Sequence, residues 1–129
     1  MANSFTADLR KFGEKVQRRA RDVARQSIQD VVEDAQTPKA KGGRMPVDTG
    51  FLRNSLVSGI DRNYGPPSPE SYVLAIAGLE IGDTVQFKWT AEYAIFQELG
   101  TSKMPGNHFV GVAAAKWPQF VKANAERVK

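Results

Sequence analysis

The sequence contains no cysteine and a single histidine, His108. Neither a disulfide nor a thiolate metal site can therefore form, and one histidine does not support a histidine-rich metal centre. The longest apolar run, "YVLAIAGL" at 72–79, is far shorter than the roughly 20 residues that cross a bilayer. The opening "MANSFTADLRKF" lacks the apolar core of a signal peptide. We expect a soluble protein of a reducing compartment, with no metal and no other cofactor.

Helix-breaking residues are scarce over 4–36, where Gly13 is the one glycine and proline is absent. Apolar residues recur there at steps of three to five, which is typical of an amphipathic helix: Phe5, Leu9, Phe12, Val16, Val23, Ile28, Val31 and Ala35. We predict a single long helix over 4–36, which Pro38 ends. At 1.5 Å per residue it would be roughly 45 to 50 Å long, more than the width of a small domain. Part of its apolar stripe is therefore expected to lie against another subunit.

Basic residues are scarce in the middle of the chain. Residues 63–100 hold one Lys/Arg against five Asp/Glu, a net charge of −4, whereas 1–44 (ten against six) and 101–129 (five against one) are each +4. Complementary patches of this kind can join copies of one chain, although ordinary solvated faces give the same pattern.

Two basic groups are candidate interface residues. The first helix has Arg18, Arg21 and Arg25 on neighbouring positions of one face, where they would meet either DNA phosphates or a protein partner. The segment 37–47, "TPKAKGGRMPV", adds Lys39, Lys41 and Arg44. We predict that it is a mobile basic loop, which is either a plain linker or an arm that orders on assembly.

The tripeptide Asp48-Thr49-Gly50 also occurs at the active site of aspartic proteases, which need the aspartate at the end of a strand in an all-β dimer. Here bulky Phe51 follows the glycine, and both ends of the chain are predicted to be helical, so the sequence does not fit the protease fold. We interpret Asp48 as the N-cap of a short helix in which Leu52 faces the core. With no pair of acids, Ser/His/Asp set or phosphate loop in the sequence, we do not expect an enzyme.

The rest of the sequence predicts short elements. Strands are expected at 55–61 and 84–89, and 70–79 is interpreted as a short helix although it would also suit a strand. A helix over 91–99 is expected to have Thr90 as its cap and Gly100 at its end. A last helix would start after Asn107 as cap and be kinked at Pro118. The prediction is a single α+β domain over 1–129: a long N-terminal helix at 4–36, the loop at 37–47, and a core over 48–129 with a small antiparallel sheet of two to three strands, short helices and a kinked C-terminal helix.

Two segments, "RMPVDTGFLRNSL" and "AEYAIFQELGTSKMPGNHFVGVAAAKW", resemble the head–tail joining or tail-completion proteins of long-tailed bacteriophages. The residues of the first segment that match the family pattern are Arg44, Pro46, Val47, Asp48, Thr49, Gly50, Leu52, Arg53 and Ser55. Those of the second segment are Tyr93, Ala94, Glu98, Gly100, Thr101, Phe109 and Ala113. Leu99, between Glu98 and Gly100, and "PGNHF" depart from the pattern. We expect each of these residues either to maintain the fold or to contact a partner, and Arg53 could pair with Glu98 or Glu92.

The resemblance implies a structural virion protein of the neck or the top of the tail, made in the cytoplasm of the bacterial host. Its copies would form or dock on a ring between the head connector and the tail. A ring of six copies would match the symmetry of the tail. The implied partners are other copies and neighbouring neck or tail proteins. DNA would at most pass through the channel, and no membrane is involved. The alternative is a basic DNA-binding module that uses the arginine-rich first helix.

Overall fold

The computed structural model describes residues 2–47 and 50–127, with side chains from residue 8 onward. Its largest element is helix α1 (Ala2–Gln36), which confirms the long helix predicted over 4–36. The residues of α1 from 8 to 20 are all exposed, and burial begins in the second half of the helix. The first half of α1 therefore projects from a body that is built around the second half.

The remaining helices are short: α2 (Phe51–Asn54), α3 (Tyr72–Ala77), α4 (Ala94–Leu99), α5 (Phe109–Ala115) and α6 (Trp117–Arg127). Helix α3 settles the ambiguity at 70–79 in favour of helix. Tyr72 and Ile76, one turn apart, are buried, whereas Leu74 between them is exposed. This four-residue period is that of a helix with one face on the core.

The sheet is antiparallel, with β1 (Leu56–Ile60) between β2 (Asn63–Tyr64) and β3 (Val85–Trp89). Leu56 lies opposite Trp89 and Ile60 opposite Val85, so β1 and β3 pair along their full lengths. The turn from β1 to β2 has positive φ at two successive residues, the backbone of a tight two-residue hairpin. A separate hairpin joins β4 (Gly100–Thr101) to β5 (Met104–Pro105). The α+β fold with a small antiparallel sheet is confirmed, and β2, β4 and β5 are strands that the sequence pattern did not predict.

The core comprises two adjoining clusters of buried side chains at the C-terminal end of α1. One cluster contains Ala35, Met45, Leu52, Ala91, Phe109 and Ala113. The other contains Val32, Leu56, Tyr72 and Ile76. Trp89 packs against both clusters. Val32 and Ala35 stand on neighbouring faces of α1, so this last turn of the helix joins the two clusters.

The segment 37–47 is folded back on itself, with a single 3₁₀ turn at Lys39–Lys41. The Lys39 amide donates to the Met45 carbonyl and the Met45 amide donates to the Thr37 carbonyl, each over 3.1 Å. The side chain of Met45 is fully buried. The basic side chains of Lys39, Lys41 and Arg44 are exposed, and hydrogen bonds hold the backbone at both ends of the segment. That the loop is mobile stays a prediction.

The C-terminal region is two helices rather than one kinked helix. The break lies at Lys116, and Pro118 occupies the first turn of α6, where its missing N–H costs no hydrogen bond. Helix α5 is preceded by His108 in a left-handed conformation (φ 52°), so the prediction of Asn107 as cap is wrong by one residue. Lys116 pairs with Asp34, and Asn124 donates to Ser27, so α6 runs antiparallel to α1.

Two predicted caps also differ from the structure. Thr90 does not cap α4, which begins at Ala94, because its hydroxyl donates to the Ser55 carbonyl over 3.0 Å. Asp48, the predicted cap of α2, lies with Thr49 outside the described residues. Gly50, with φ 80°, immediately precedes α2, and such a left-handed conformation favours glycine.

Candidate functional site

The two family-motif segments meet in the core of the folded chain. Leu52 of the first segment and Phe109 and Ala113 of the second belong to one buried cluster. The Phe109 ring stands edge-on to Trp89, with 5.2 Å between ring centroids. At the surface the rings of Phe51 and Tyr93 lie 6.1 Å apart. These contacts join the two segments to each other.

Gln36, at the end of α1, is the polar centre of this junction and was not predicted from the sequence. Its side chain is 2% exposed. The amide nitrogen donates to the carbonyls of Arg53 (3.0 Å) and Pro69 (2.9 Å), and the amide oxygen accepts from Trp89 Nε1 (2.9 Å). One side chain thus joins α1 to α2, to the loop before α3 and to β3.

Arg53 completes this junction instead of pairing with an acid. Its Nε donates to the Gln36 carbonyl over 2.9 Å, so it satisfies a backbone oxygen at the end of α1 that has no partner within the helix. The predicted pairing of Arg53 with Glu98 or Glu92 is not what the structure shows.

Glu98 caps α5 from outside that helix. Its two carboxylate oxygens accept the amides of Val110 (2.8 Å) and Gly111 (3.0 Å). A carboxylate at a helix N-terminus satisfies free N–H groups and interacts favourably with the helix dipole. Glu98 therefore fixes α4 to the start of α5.

The other motif residues shape turns or fill gaps. Ser55 is buried and donates to the Leu52 carbonyl (2.7 Å), and Ala94 is half-buried against the core. Gly100 ends α4 with φ 87°, and the Thr101 hydroxyl accepts the Lys103 amide (3.2 Å) in the β4–β5 turn. Pro46 is half-buried, whereas Val47 is exposed.

Two of the three candidate arginines of α1 are held by the chain's own acidic middle segment. Arg21 Nη1 lies 3.2 Å from Glu80 Oε2, and Arg25 Nη2 lies 3.1 Å from Glu80 Oε1. Arg25 Nε also donates to the Leu79 carbonyl (2.8 Å). The partner of these arginines lies within 63–100, as the charge pattern indicates, but it lies in the same chain. Arg18 lines a surface hollow beside Arg21 and Glu80.

Two surfaces of the described chain expose large apolar side chains in the pattern of a contact face. The first, here called the α1 stripe, comprises Leu9, Phe12 and Val16 on the projecting half of α1. Phe12 is 65% exposed. These residues are three and four positions apart and so share one helix face.

The second surface, here called the α4 face, comprises Ile95, Phe96 and Leu99. Leu99 is 65% exposed. The polar residues of α4 turn inward instead: Gln97 accepts from Asn107 Nδ2 (2.7 Å), and Glu98 caps α5. A surface helix ordinarily has its apolar side on the core. The reversed polarity of α4 indicates an interface.

Within residues 2–47 and 50–127, no cluster of three or more His, Cys, Asp or Glu side chains could hold a metal ion. None of the helices in that part of the chain is long and apolar enough to cross a membrane.

Comparison with known proteins gives one family. Searches of curated proteins and of solved structures each found no match. The family model that matches is the HK97 gp10-like model, described as bacteriophage HK97 gp10, a candidate tail component, and it covers residues 3–100. That span includes α1 from its second residue onward, the first motif segment, the sheet and α4. The chain therefore belongs to the HK97 gp10-like family of bacteriophage tail components, and so to the proteins of a virion.

Proposed function

We propose that this chain is a structural protein of the neck, which completes the tail and joins it to the head connector. Copies form or dock on a ring at the top of the tail, and the protein acts through contacts rather than catalysis. The family and the first-segment motif support a tail role, and the ring of six is what the motif resemblance implies.

The observation that carries this proposal is the projecting half of α1. A helical segment as short as residues 8–20 is only marginally stable in water when it has no tertiary packing. Most of the stability of a helix in a protein comes from its buried apolar face. Here the residues from 8 to 20 are exposed, and they include the three apolar side chains of the α1 stripe. An element of this kind gains its packing from a neighbouring subunit.

The test is a phage that lacks this chain, examined by electron microscopy. We expect separate full heads and separate tails, with infectivity lost. The wild-type chain supplied in trans should restore joined particles, whereas a chain with Leu9→Glu and Phe12→Glu should not. Gln17→Glu is the matched control, because it adds an acid to the same exposed part of α1 away from the stripe. Complete, infectious particles without the chain would refute the neck role.

A DNA-binding function has less support. Arg21 and Arg25 are occupied by Glu80, which leaves Arg18 of the three candidates outside these ion pairs. The carboxylate that holds both arginines would also repel a DNA phosphate brought close to them.

A further inference from the structure

Within one chain, the α1 stripe and the α4 face are both exposed, so neither covers the other. Leu9, Phe12 and Val16 lie on a half-helix that stands away from the body, and Ile95, Phe96 and Leu99 lie on the body itself. Both are runs of large aliphatic and aromatic side chains at helical spacing. Such a pair of surfaces fits the packing of one helix across another.

We propose that the α4 face of one copy binds the α1 stripe of a second copy. The charges beside the two surfaces are complementary. Residues 2–20 carry five Lys/Arg against two Asp/Glu, and Lys15 and Arg19 follow Phe12 and Val16 by three positions, at the edge of the stripe. The segment 91–100 carries Glu92 and Glu98 and no basic residue. Glu92 is exposed in the turn that leads into α4, where it can meet Lys15 or Arg19 of the incoming helix.

The charges also favour the α4 face over an apolar groove elsewhere on the described chain. A groove between α1 and α6 is lined by Ala20, Val23, Trp117 and Val121, with Arg19 at its side. Arg19 is the charged residue among those that line this groove, so the groove offers the basic half of α1 no acid to pair with. Exposed Glu92, in the turn before the α4 face, offers Lys15 or Arg19 such a partner.

The proposed contact joins two different surfaces and is therefore head-to-tail. Contacts of this type close into a ring when the rotation between neighbours allows it, and otherwise continue as a filament. The inference deepens the proposed function by naming the contact that would build the ring. It is nevertheless separable from that function, because the contact can be measured on the purified protein without any phage particle.

The first experiment mixes two variants that each lose one surface. Purified Leu9→Glu/Phe12→Glu keeps the α4 face, and purified Ile95→Glu/Leu99→Glu keeps the α1 stripe. By light scattering, we expect each alone to be a monomer at concentrations where the wild type assembles. Their mixture should give a dimer with one copy of each and nothing larger. Leu74→Glu, which places the same charge on exposed α3, should assemble like the wild type.

The second experiment uses the lack of natural cysteine, since any disulfide must then join introduced residues. A Phe12→Cys protein mixed with a Leu99→Cys protein should form a mixed disulfide under mild oxidation, and the pair Phe12→Cys with Leu74→Cys should not. This readout also captures a contact too weak to be seen by light scattering.

Three results would overturn the proposal. The first is unchanged assembly of Ile95→Glu/Leu99→Glu, which would mean that α1 pairs with α1 or with the α1–α6 groove. The second is a Phe12→Cys disulfide with itself or with Trp117→Cys that forms faster than the one with Leu99→Cys. The third is no disulfide of Phe12→Cys with Leu99→Cys above the Leu74→Cys control. If the mixed dimer forms while phage lacking the chain assemble normally, the neck role fails and the contact stands.

Discussion

Among single residues, Gln36 has a role that its position in the sequence conceals. It stands at the end of an amphipathic pattern, next to buried Ala35, where a solvent-exposed glutamine would look the same. Its partners are two backbone carbonyls and the Trp89 indole, and they come from segments 17, 33 and 53 positions further along the chain. Local periodicity carries no information about such distant partners, so this junction could not be predicted.

Replacement of Gln36 tests how much the junction contributes. Gln36→Leu leaves the Trp89 N–H and two carbonyl oxygens without their partner in a buried site. Because each such loss costs about 1–3 kcal/mol, we expect the free energy of unfolding to fall by about 3 kcal/mol in urea titrations. Gln29→Leu on the same helix is the control, with an expected change within about 0.5 kcal/mol. Equal losses in the two variants would contradict the role assigned to Gln36.

Tyr72 gives the protein a predictable response to alkali. Burial raises the pKa of the Tyr72 hydroxyl above its ordinary 10.0, the carboxylates of Glu33 and Glu70 add to the shift, and Arg53 partly offsets it. Below pH 10 the folded and unfolded chains both keep the Tyr72 proton, so the free energy of unfolding does not depend on pH through this group. Above that pH the unfolded chain releases the proton first, and stability falls until the pH passes the folded pKa.

The corresponding prediction compares wild type with Tyr72→Phe. Between about pH 9 and pH 11 the free energy of unfolding should fall less steeply with pH in the variant, because it has no proton to release at this site. Lysines that titrate in the same range are common to both proteins and cancel in the difference. Identical slopes in urea titrations would show that Tyr72 does not carry the effect.

At the scale of elements, periodicity predicted what lies within an element and missed what joins elements. Helix α1, strands β1 and β3 and helix α3 lie where the sequence pattern predicted them, and α4 occupies 94–99 of the predicted 91–99. The two-residue strands are too short to show a period, and they exist because a hairpin brings partner strands together. The C-terminal break at Lys116 lies beside the Lys116–Asp34 ion pair, a contact with α1 that no local signal reveals.

The family motifs were found in the sequence, but their contacts were not. The sequence suggested an ion pair between Arg53 and Glu98 because their charges are opposite. In the structure each of them satisfies backbone groups at a helix end instead. Free backbone groups occur at every helix end and are invisible in a charge pattern. The α4 face was missed for a related reason: an apolar helix face is predicted to lie on the core unless the polar residues of the helix are seen to bond to the body, as Gln97 and Glu98 do.

Glu98 provides a prediction about the link between α4 and α5. Glu98→Ala removes both acceptors and the favourable charge at the start of α5, and we expect a loss of about 1–2 kcal/mol in thermal or urea unfolding. Glu98→Gln keeps one acceptor and should lose about half as much. Glu92→Ala, which removes an exposed acid nearby, should be close to neutral. A similar loss for Glu92→Ala would assign the effect to net charge rather than to the two hydrogen bonds.

At the scale of the whole molecule, the segmental charges act first within the chain. Arg21 and Arg25 hold Glu80, so part of the attraction between the basic first segment and the acidic middle is already used in folding. What remains for other molecules includes the basic charge of the projecting half of α1 and the exposed carboxylate of Glu92. The charge pattern indicated that the two regions attract each other. Which of these charges pair within the chain, and which stay available to other molecules, is seen only in the fold.

Replacing Arg18, Arg21 and Arg25 together by glutamine separates protein assembly from DNA binding. If all three contacted phosphates, the slope of log affinity for duplex DNA against log salt would change by roughly three units. We expect weak binding and a change below about one unit, because Glu80 holds two of the three. The same variant should release the 79–83 turn from α1, seen as faster amide exchange there. Tight binding at physiological salt that the variant loses would restore the DNA-binding alternative.

The projection of α1 divides one continuous helix between two cooperative units. Its second half unfolds together with the body, because it holds Val32, Ala35 and Gln36. The α1 stripe on its first half is exposed in the single chain, and that part of the helix can fray without disturbing the core. A substitution of Leu9 or Phe12 would then leave the melting curve of the free protein unchanged and still weaken an assembled particle. The stability of half of this helix is thus a property of its neighbours, to be measured in the particle rather than in the isolated subunit.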